Sequence, residues 1–140
     1  MIQFLTEDTS LPEFINAQTK DWISVIIRNY TLNIGDINYL FCSDDYILKI
    51  NNQYLNHNYF TDIITFDYCS DKVISGDLVI SLDTVKSNSV KFKTTFFEEL
   101  HRVIIHGILH LIGFKDSSDD EKAIMRKEED KALSLLSTFH

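Results

Sequence analysis

The apolar residues of this chain follow two spacings, and each spacing predicts a different kind of element. Apolar positions three or four residues apart, behind a residue that can cap a helix, predict five helices. These helices begin at Thr19 or Asp21, at Ser43 or Asp44, at Asp83, at Thr94 or Thr95, and at Ser117 or Ser118. Alternation of apolar and polar residues, or a short β-rich apolar run, predicts four strands. These strands are residues 1–6, 37–42, 62–68 and 73–81.

The order of these elements predicts an α+β fold in a single domain, residues 1–140, with a small mixed sheet of three to four strands. The strands at 62–68 and 73–81 are joined by a short turn and should form an antiparallel hairpin. The helix between the strands at 37–42 and 62–68 suits a parallel crossover between those two strands. The helix that begins near Thr95 is apolar nearly all round, which predicts a central and deeply buried position.

Composition agrees with a globular domain. The chain has 140 residues, of which 44% are hydrophobic, and its single Pro and four Gly leave no linker or low-complexity tract. We expect no signal peptide, and no run of about 18 apolar residues predicts a membrane helix. Cys42 and Cys69 form no CxxC pair, so we expect reduced thiols in a cytoplasmic protein.

The net charge of −8 is unevenly distributed. Residues 1–85 carry four basic and twelve acidic residues, whereas residues 86–140 carry nine of each. Global acidity argues against tight nonspecific binding of nucleic acid, because phosphate contacts supply most of that affinity. It is compatible with a nuclease whose positive charge is local and partly metallic. A local basic excess lies in Lys86, Lys91, Lys93 and Arg102, against Glu98 and Glu99, and a solvated helix face is its simplest interpretation.

Two histidines four residues apart mark a candidate metal site in the most apolar stretch. His106 and His110 fall on one face of the helix that begins near Thr95, so both imidazoles can reach one ion. Gly113 can end that helix in a left-handed conformation, and the returning chain can supply Asp116 as a third ligand. Two nitrogens and one carboxylate leave an open fourth position, which is typical of catalytic zinc. We therefore predict one Zn²⁺ ion, with nickel, cobalt and manganese as alternatives.

Other interpretations of these histidines are weaker. Two histidines at this spacing can be ordinary core or surface residues, but unpaired imidazoles are costly in so apolar a stretch. Zinc proteases share the spacing, yet Gly107 replaces the glutamate that is their general base. A glycine there permits a substrate or a neighbouring strand to approach the helix closely. His101 lies off the ligand face, and we expect it on the helix surface or behind a ligand.

Three motifs occur in a fixed order along the chain. They are Asn51-x-x-Tyr54 with Thr61-Asp62-Ile63-Ile64-Thr65-Phe66, then Gly76-Asp77-Leu78-Val79-Ile80-Ser81, then His106-Gly107-x-Leu109-His110-Leu111-x-Gly113-Phe114. Together they resemble the YbeY family of bacterial endoribonucleases that mature ribosomal RNA. The resemblance implies a zinc-dependent, single-strand-specific endoribonuclease that processes the 3′ end of 16S ribosomal RNA and takes part in ribosome quality control. It also implies single-stranded or ribosomal RNA, the ribosome and ribosome-assembly proteins as partners.

Two positions depart from the family pattern. The family's third ligand is a histidine after an aspartate, whereas here Asp116, itself a competent zinc ligand, follows Lys115. The family's arginine, thought to act on RNA near the metal, is replaced by Leu55. We take His57 and Asp62 as candidate catalytic residues. His57 can hold a phosphate or move a proton, or be a plain loop residue, while Asp62 can cap a turn or orient a zinc-bound histidine.

Two other functions remain open from the sequence. One is a metalloprotease-like zinc hydrolase, which must find a general base other than residue 107. The other is a non-catalytic ribosome-assembly factor with a structural zinc, which the acidic charge and Leu55 favour.

Overall fold

The computed structural model describes residues 1–56 and 61–140, and within these residues the chain forms four strands and five helices. The strands are β1 (Ile2–Thr6), β2 (Asn33–Cys42), β3 (Ile63–Asp67) and β4 (Val73–Ser81). The helices are α1 (Ala17–Asn29), α2 (Asp44–Leu55), α3 (Leu82–Lys91), α4 (Phe96–Ile112) and α5 (Asp119–Leu136). The strands form one sheet with parallel and antiparallel pairs, so the predicted α+β fold with a small mixed sheet is confirmed.

The order of the strands differs from the sequence prediction. The sheet runs β1-β2-β4-β3, with β1 and β4 parallel to β2 and β3 antiparallel to β4. The predicted hairpin is therefore confirmed, but the predicted parallel crossover from β2 to β3 is wrong, because β4 lies between them. Burial explains this order: β4 buries Leu78, Val79 and Ile80 on both of its faces, as a central strand does, whereas β3 buries only Ile64.

Each face of the sheet supports its own hydrophobic cluster. Leu78 and Ile80 join the larger core with α1 and α4, whereas Val79 between them packs with Ile47 of α2 on the opposite face. Ten of the seventeen residues of α4 are buried, which confirms it as the central helix. Within residues 1–56 and 61–140, no helix has the length and apolar character needed to cross a membrane.

The starts of α1 and β2 lie before the predicted residues. The N-cap of α1 is Asn16 rather than Thr19 or Asp21, because Asn16 and Thr19 form a reciprocal capping box. Residues 33–36, which lie before the strand predicted at 37–42, belong to β2, and the pairing register of β2 with β4 shifts between Ile34 and Ile37. The caps predicted for α2 and α5 are confirmed at Ser43 and Ser118.

Local sequence fixes both ends of α4. Thr95 caps its N-terminus by accepting a hydrogen bond from the backbone N–H of Glu98. The Glu98 carboxylate accepts from the Thr94 hydroxyl, so Thr95 and Glu98 form only half of a capping box. Gly113 follows the last helical residue with φ of +126°, a conformation that favours glycine. The helix therefore ends at Ile112, four residues before Asp116.

Candidate metal centre

The three predicted ligand residues converge at the C-terminal end of α4. Nε2 of His106 and Nε2 of His110 are 3.0 Å apart, and Asp116 Oδ2 lies 3.3 and 3.4 Å from these two nitrogens. Tetrahedral zinc with bonds of about 2.0–2.1 Å places its ligand atoms about 3.3–3.4 Å apart. The triangle of donor atoms therefore has the size that one such ion requires.

The turn after α4 brings Asp116 to the histidines. The backbone N–H of Gly113 donates to the carbonyls of Leu109 and His110, and the Phe114 N–H donates to the Leu109 carbonyl at 3.0 Å. These bonds reverse the chain immediately after the helix. The Asp116 side chain is 40% exposed and the imidazoles of His106 and His110 are 23% and 30% exposed, so the site opens to solvent on one side.

The outer nitrogens of both imidazoles have acceptors. Nδ1 of His106 lies 2.6 Å from Glu129 Oε2, and Nδ1 of His110 lies 3.0 Å from the Phe114 carbonyl oxygen. A carbonyl oxygen only accepts, so Nδ1 of His110 must carry the hydrogen, and a carboxylate favours the same arrangement at His106. In the neutral imidazoles each Nε2 then presents a lone pair to the centre, as metal ligation requires.

Glu129 links His106 to a buried ion pair. Glu129 is only 5% exposed and accepts from Arg102 Nη1 at 2.9 Å, while Arg102 Nη2 donates to Asp130 at 2.8 Å. Burial alone would lower the pKa of His106. The hydrogen bond and charge of Glu129, together with the charges of Asp116 and Asp62, outweigh the effect of burial, so the pKa of His106 is raised. The site therefore has the negative potential that attracts a cation.

A cavity of about 160 Å³ lies beside His106. Its lining includes Asp62, Glu99 and Arg126, together with Arg102 and Glu129. Burial raises the pKa of Asp62 against the opposing effect of His106, and burial also raises the pKa of Glu99 against the opposing effects of the two arginines. These carboxyl groups therefore hold protons more readily than exposed ones. Glu129, rather than Asp62, accepts from the second nitrogen of a ligand histidine.

The remaining predicted residues lie in different surroundings. His57 lies outside the described residues. Leu55 is the last residue of α2 and is 42% exposed. His101 is fully buried, so the expectation that it lies on the surface or behind a ligand is wrong. Its Nδ1 lies 2.7 Å from the Phe97 carbonyl oxygen, and its Nε2 lies 3.4 Å from Thr19 Oγ1. Both nitrogens of His101 are thus satisfied within the protein.

Gly107 permits the close approach of the sheet to α4. A Cβ at this position would lie 2.3 Å from Leu78 Cδ2 and 2.9 Å from Ile63 Cδ1. The neighbouring strands, rather than a substrate, therefore occupy the space that this glycine leaves. A glutamate at residue 107 would begin inside the packed core of this fold, so this helix cannot present the protease's general base without rearrangement.

Sequence reasoning missed Glu129, Arg102 and the Phe114 carbonyl. One signal for Glu129 was present: in α5 it falls on the same face as the buried residues Met125, Ala132 and Leu136. A glutamate on a buried face is almost always paired, so its partner was worth seeking. Nothing in the spacing identified His106 as that partner, because the two residues lie on different helices.

Fold and site together define a small α+β protein with a candidate metal centre of two histidines and one aspartate. Residues 1–137 match the family described as Endoribonuclease YbeY. A relative of that name from Phocaeicola vulgatus is 53% identical over 137 residues, covering 98% of this chain and 99% of its own length. Another, from Bacteroides fragilis, is 52% identical over 134 residues, covering 96% of each chain.

A solved structure supports the same fold. The solution structure of a protein from Thermotoga maritima matches with a TM-score of 0.73 and 26% identity, covering 97% of this chain and 89% of that one. The family match spans nearly the whole chain and the curated relatives are about half identical. The chain therefore belongs to the YbeY family.

Proposed function

We propose that this protein is a zinc-dependent endoribonuclease that cuts single-stranded RNA during maturation of the 3′ end of 16S ribosomal RNA. We further assign it to ribosome quality control in the cytoplasm, with the ribosome and its assembly proteins as partners. The observation that carries the proposal is the convergence of His106, His110 and Asp116, with both outer nitrogens anchored, in a member of an endoribonuclease family.

The residues of this chain fit a metal cofactor in donor type and spacing. When bound, a zinc ion would supply a Lewis acid that polarises a phosphoryl oxygen and acidifies water. Glu129 and the Phe114 carbonyl hold the imidazoles in the tautomer that exposes Nε2. The exposed side of the centre leaves room for an RNA phosphate.

Asp62 is the proton-transfer residue in this proposal, since it lines the cavity beside His106 and burial raises its pKa above that of an exposed aspartate. His57 is a second candidate for that role. Arg126 lines the same cavity and, among the described residues, forms no ion pair. We assign Arg126 a contact with an RNA phosphate near the metal, a role that Leu55 cannot fill, because a guanidinium binds phosphate through paired N–H groups.

Two alternative functions remain testable. The metalloprotease-like hydrolase is disfavoured because residue 107 faces Leu78 and Ile63 of the sheet. The non-catalytic assembly factor with structural zinc is disfavoured because the three candidate ligands lie on α4 and the turn after it, where the helix already folds against the sheet and α5.

A cleavage assay tests the proposal. Metal-stripped protein receives Zn²⁺ and a labelled RNA that contains a single-stranded 16S 3′ segment beside a duplex. We expect cuts only in the single strand, and loss of at least about 1,000-fold of the rate in His110→Ala, because a catalytic ion supplies several kcal/mol. Cleavage that persists unchanged in His110→Ala contradicts the proposal. Peptide hydrolysis without RNA cleavage supports the protease alternative, and normal ribosome maturation by a less stable His106→Ala variant supports the assembly factor.

A further inference from the structure

Positive charge is concentrated in one short segment of this acidic protein. Between Thr84 and Phe97 the chain carries three lysines and no acidic residue, although the net charge is −8. Lys86 and Lys91 lie on α3, and Lys93 lies in the loop before α4; all three are exposed. None of them forms an ion pair with any part of the chain that the structure describes. This positive charge is therefore free to meet an anion.

Apolar side chains stand exposed among these lysines. Phe92 is 58% exposed and Val90 is 77% exposed, and neither packs into either hydrophobic cluster. Lys91 Nζ lies 5.6 Å from the centre of the Phe92 ring, and Lys86 Nζ lies 5.9 Å from the centre of the Phe96 ring. Lysines beside an open aromatic ring are the pairing with which proteins hold single-stranded nucleic acid, phosphates on the cations and a base on the ring. The α3 patch consists of Lys86, Val90, Lys91, Phe92 and Lys93.

The helix dipole does not account for the whole patch. Lys91 lies in the last turn of α3, where a cation is favourable. Lys93 lies just beyond the helix with φ of +57°, in the left-handed conformation of a helix C-terminal cap, where its N–H donates to the Val90 carbonyl and the Thr94 N–H donates to the Ser89 carbonyl. The cap accounts for the backbone of Lys93 but not for the exposure of Phe92, which does not improve the stability of α3. The exposed ring is consistent with a surface kept for binding.

The α3 patch lies at the opposite end of α4 from the metal centre. Phe96 begins α4 and His106 follows ten residues later, a distance of about 15 Å along the axis. At roughly 3.4 Å for each stacked nucleotide, that distance corresponds to about five nucleotides. We propose that the α3 patch binds the single-stranded RNA that flanks the segment held at the metal centre. This inference rests on the proposed function and adds the surface that anchors the substrate.

Charge variants test the lysines. Fluorescence anisotropy with a labelled 16-nucleotide single-stranded RNA compares the wild-type protein with K86A/K91A/K93A and with K49A/K72A/K127A. Both triple variants lose three exposed lysines, so they have the same net charge and differ only in the part of the surface from which the positive charge is removed. We expect the patch variant to bind at least about 10-fold more weakly and its salt slope to fall by about 2, since each lost phosphate contact contributes roughly 0.7. The control should bind as the wild type does.

Phe92 variants test the stacked base. We expect Phe92→Ala to weaken RNA binding about 5- to 100-fold, Phe92→Leu to remain weak and Phe92→Trp to bind as the wild type does, because only a flat ring stacks on a base. Equal binding by Phe92→Leu and the wild type, or equal weakening by the two triple variants, overturns the proposal. Binding of the patch to anionic lipid vesicles but not to RNA overturns it as well.

Cleavage of RNAs of two lengths separates this inference from the proposed function. The patch variant should cut a four-nucleotide RNA as fast as the wild type does, and this result would also show that its metal centre is intact. Its KM should be raised only for the 16-nucleotide RNA. If the wild type binds RNA through the patch but cuts neither RNA, the proposed function fails alone. If the wild type cuts both RNAs and the patch variant matches it on both, the patch assignment fails alone.

Discussion

His101 and His106 lie five residues apart on α4, yet their surroundings prepare them for opposite roles. Both nitrogens of His101 face neutral partners in an aromatic pocket, and burial lowers its pKa to about 4. Nδ1 of His106 faces Glu129, Nε2 faces His110 and Asp116, and its pKa is raised. A carboxylate behind the ring and further ligand atoms in front of it distinguish the candidate ligand from the structural histidine.

The largest difference between the two histidines should appear when each is replaced in turn and the zinc content and RNA-cleavage rate are measured. We expect His106→Ala to lose at least about 1,000-fold of the RNA-cleavage rate and to lose bound zinc, because one of three ligands is gone. His101→Asn should lower the melting temperature but keep the zinc content and most of the rate. Zinc analysis and cleavage kinetics on both variants check this, and equal loss of zinc in the two variants would contradict the distinction.

The pH dependence of stability should carry the signature of His101. Its folded pKa of about 4 lies below the unfolded value of about 6.5, so the unfolded chain binds the proton first as pH falls. The stabilisation is complete above pH 6.5 and is lost between pH 6.5 and 4, amounting to about 3 kcal/mol. Denaturant unfolding of metal-free protein across this range should show a smaller loss for His101→Asn than for the wild type. His140→Asn, which removes the other histidine near Thr19, should keep most of the wild-type loss.

Glu129 tests the carboxylate behind His106. We expect Glu129→Gln to weaken zinc binding about 10- to 100-fold, since an amide lacks the charge that supports the imidazole. Glu128→Gln is the matched control, because the Glu128 carboxylate accepts from Tyr30 and Lys131 instead. Competitive zinc titration with a chromophoric chelator measures both affinities. Identical affinities in the two variants would show that Glu129 does not support zinc binding.

Arg126 should show the smallest effect. We expect Arg126→Gln to raise the KM for RNA about 5- to 10-fold with kcat little changed, as for the loss of one exposed charge-assisted contact. Arg28→Gln removes the same charge from the end of α1, outside this cavity, and should leave KM unchanged. A fall in kcat at constant KM would assign Arg126 a different role.

The spacing of residues predicted much of the candidate site. His106, His110, Gly113 and Asp116 form one local segment, so helical periodicity and the need for a helix stop were sufficient to bring them together. Glu129 was missed because its contact with His106 joins two helices, and no local rule specifies which faces of α4 and α5 meet. The buried state of His101 was missed for the same reason, since Thr19 and Trp22 come from α1.

The features of the fold that could be predicted were likewise the local ones. Alternation and capping residues predicted the elements and several of their boundaries, because these depend on neighbours in the chain. The position of β4 between β2 and β3 depends on which strand is buried on both faces, and that is a property of the assembled sheet. The run of apolar residues at β3 resembled a central strand, but only Ile64 is buried there.

X-ray absorption spectroscopy of the zinc-loaded protein tests the assignment of the metal ligands. We expect one zinc per chain with two imidazole nitrogens and a carboxylate oxygen at about 2.0–2.2 Å and no sulfur. In Asp116→Ala the oxygen contribution should change while both imidazoles remain. A sulfur at about 2.3 Å, from Cys42 or Cys69, or a spectrum that is unchanged in His106→Ala, would contradict the assignment of the metal centre to His106, His110 and Asp116.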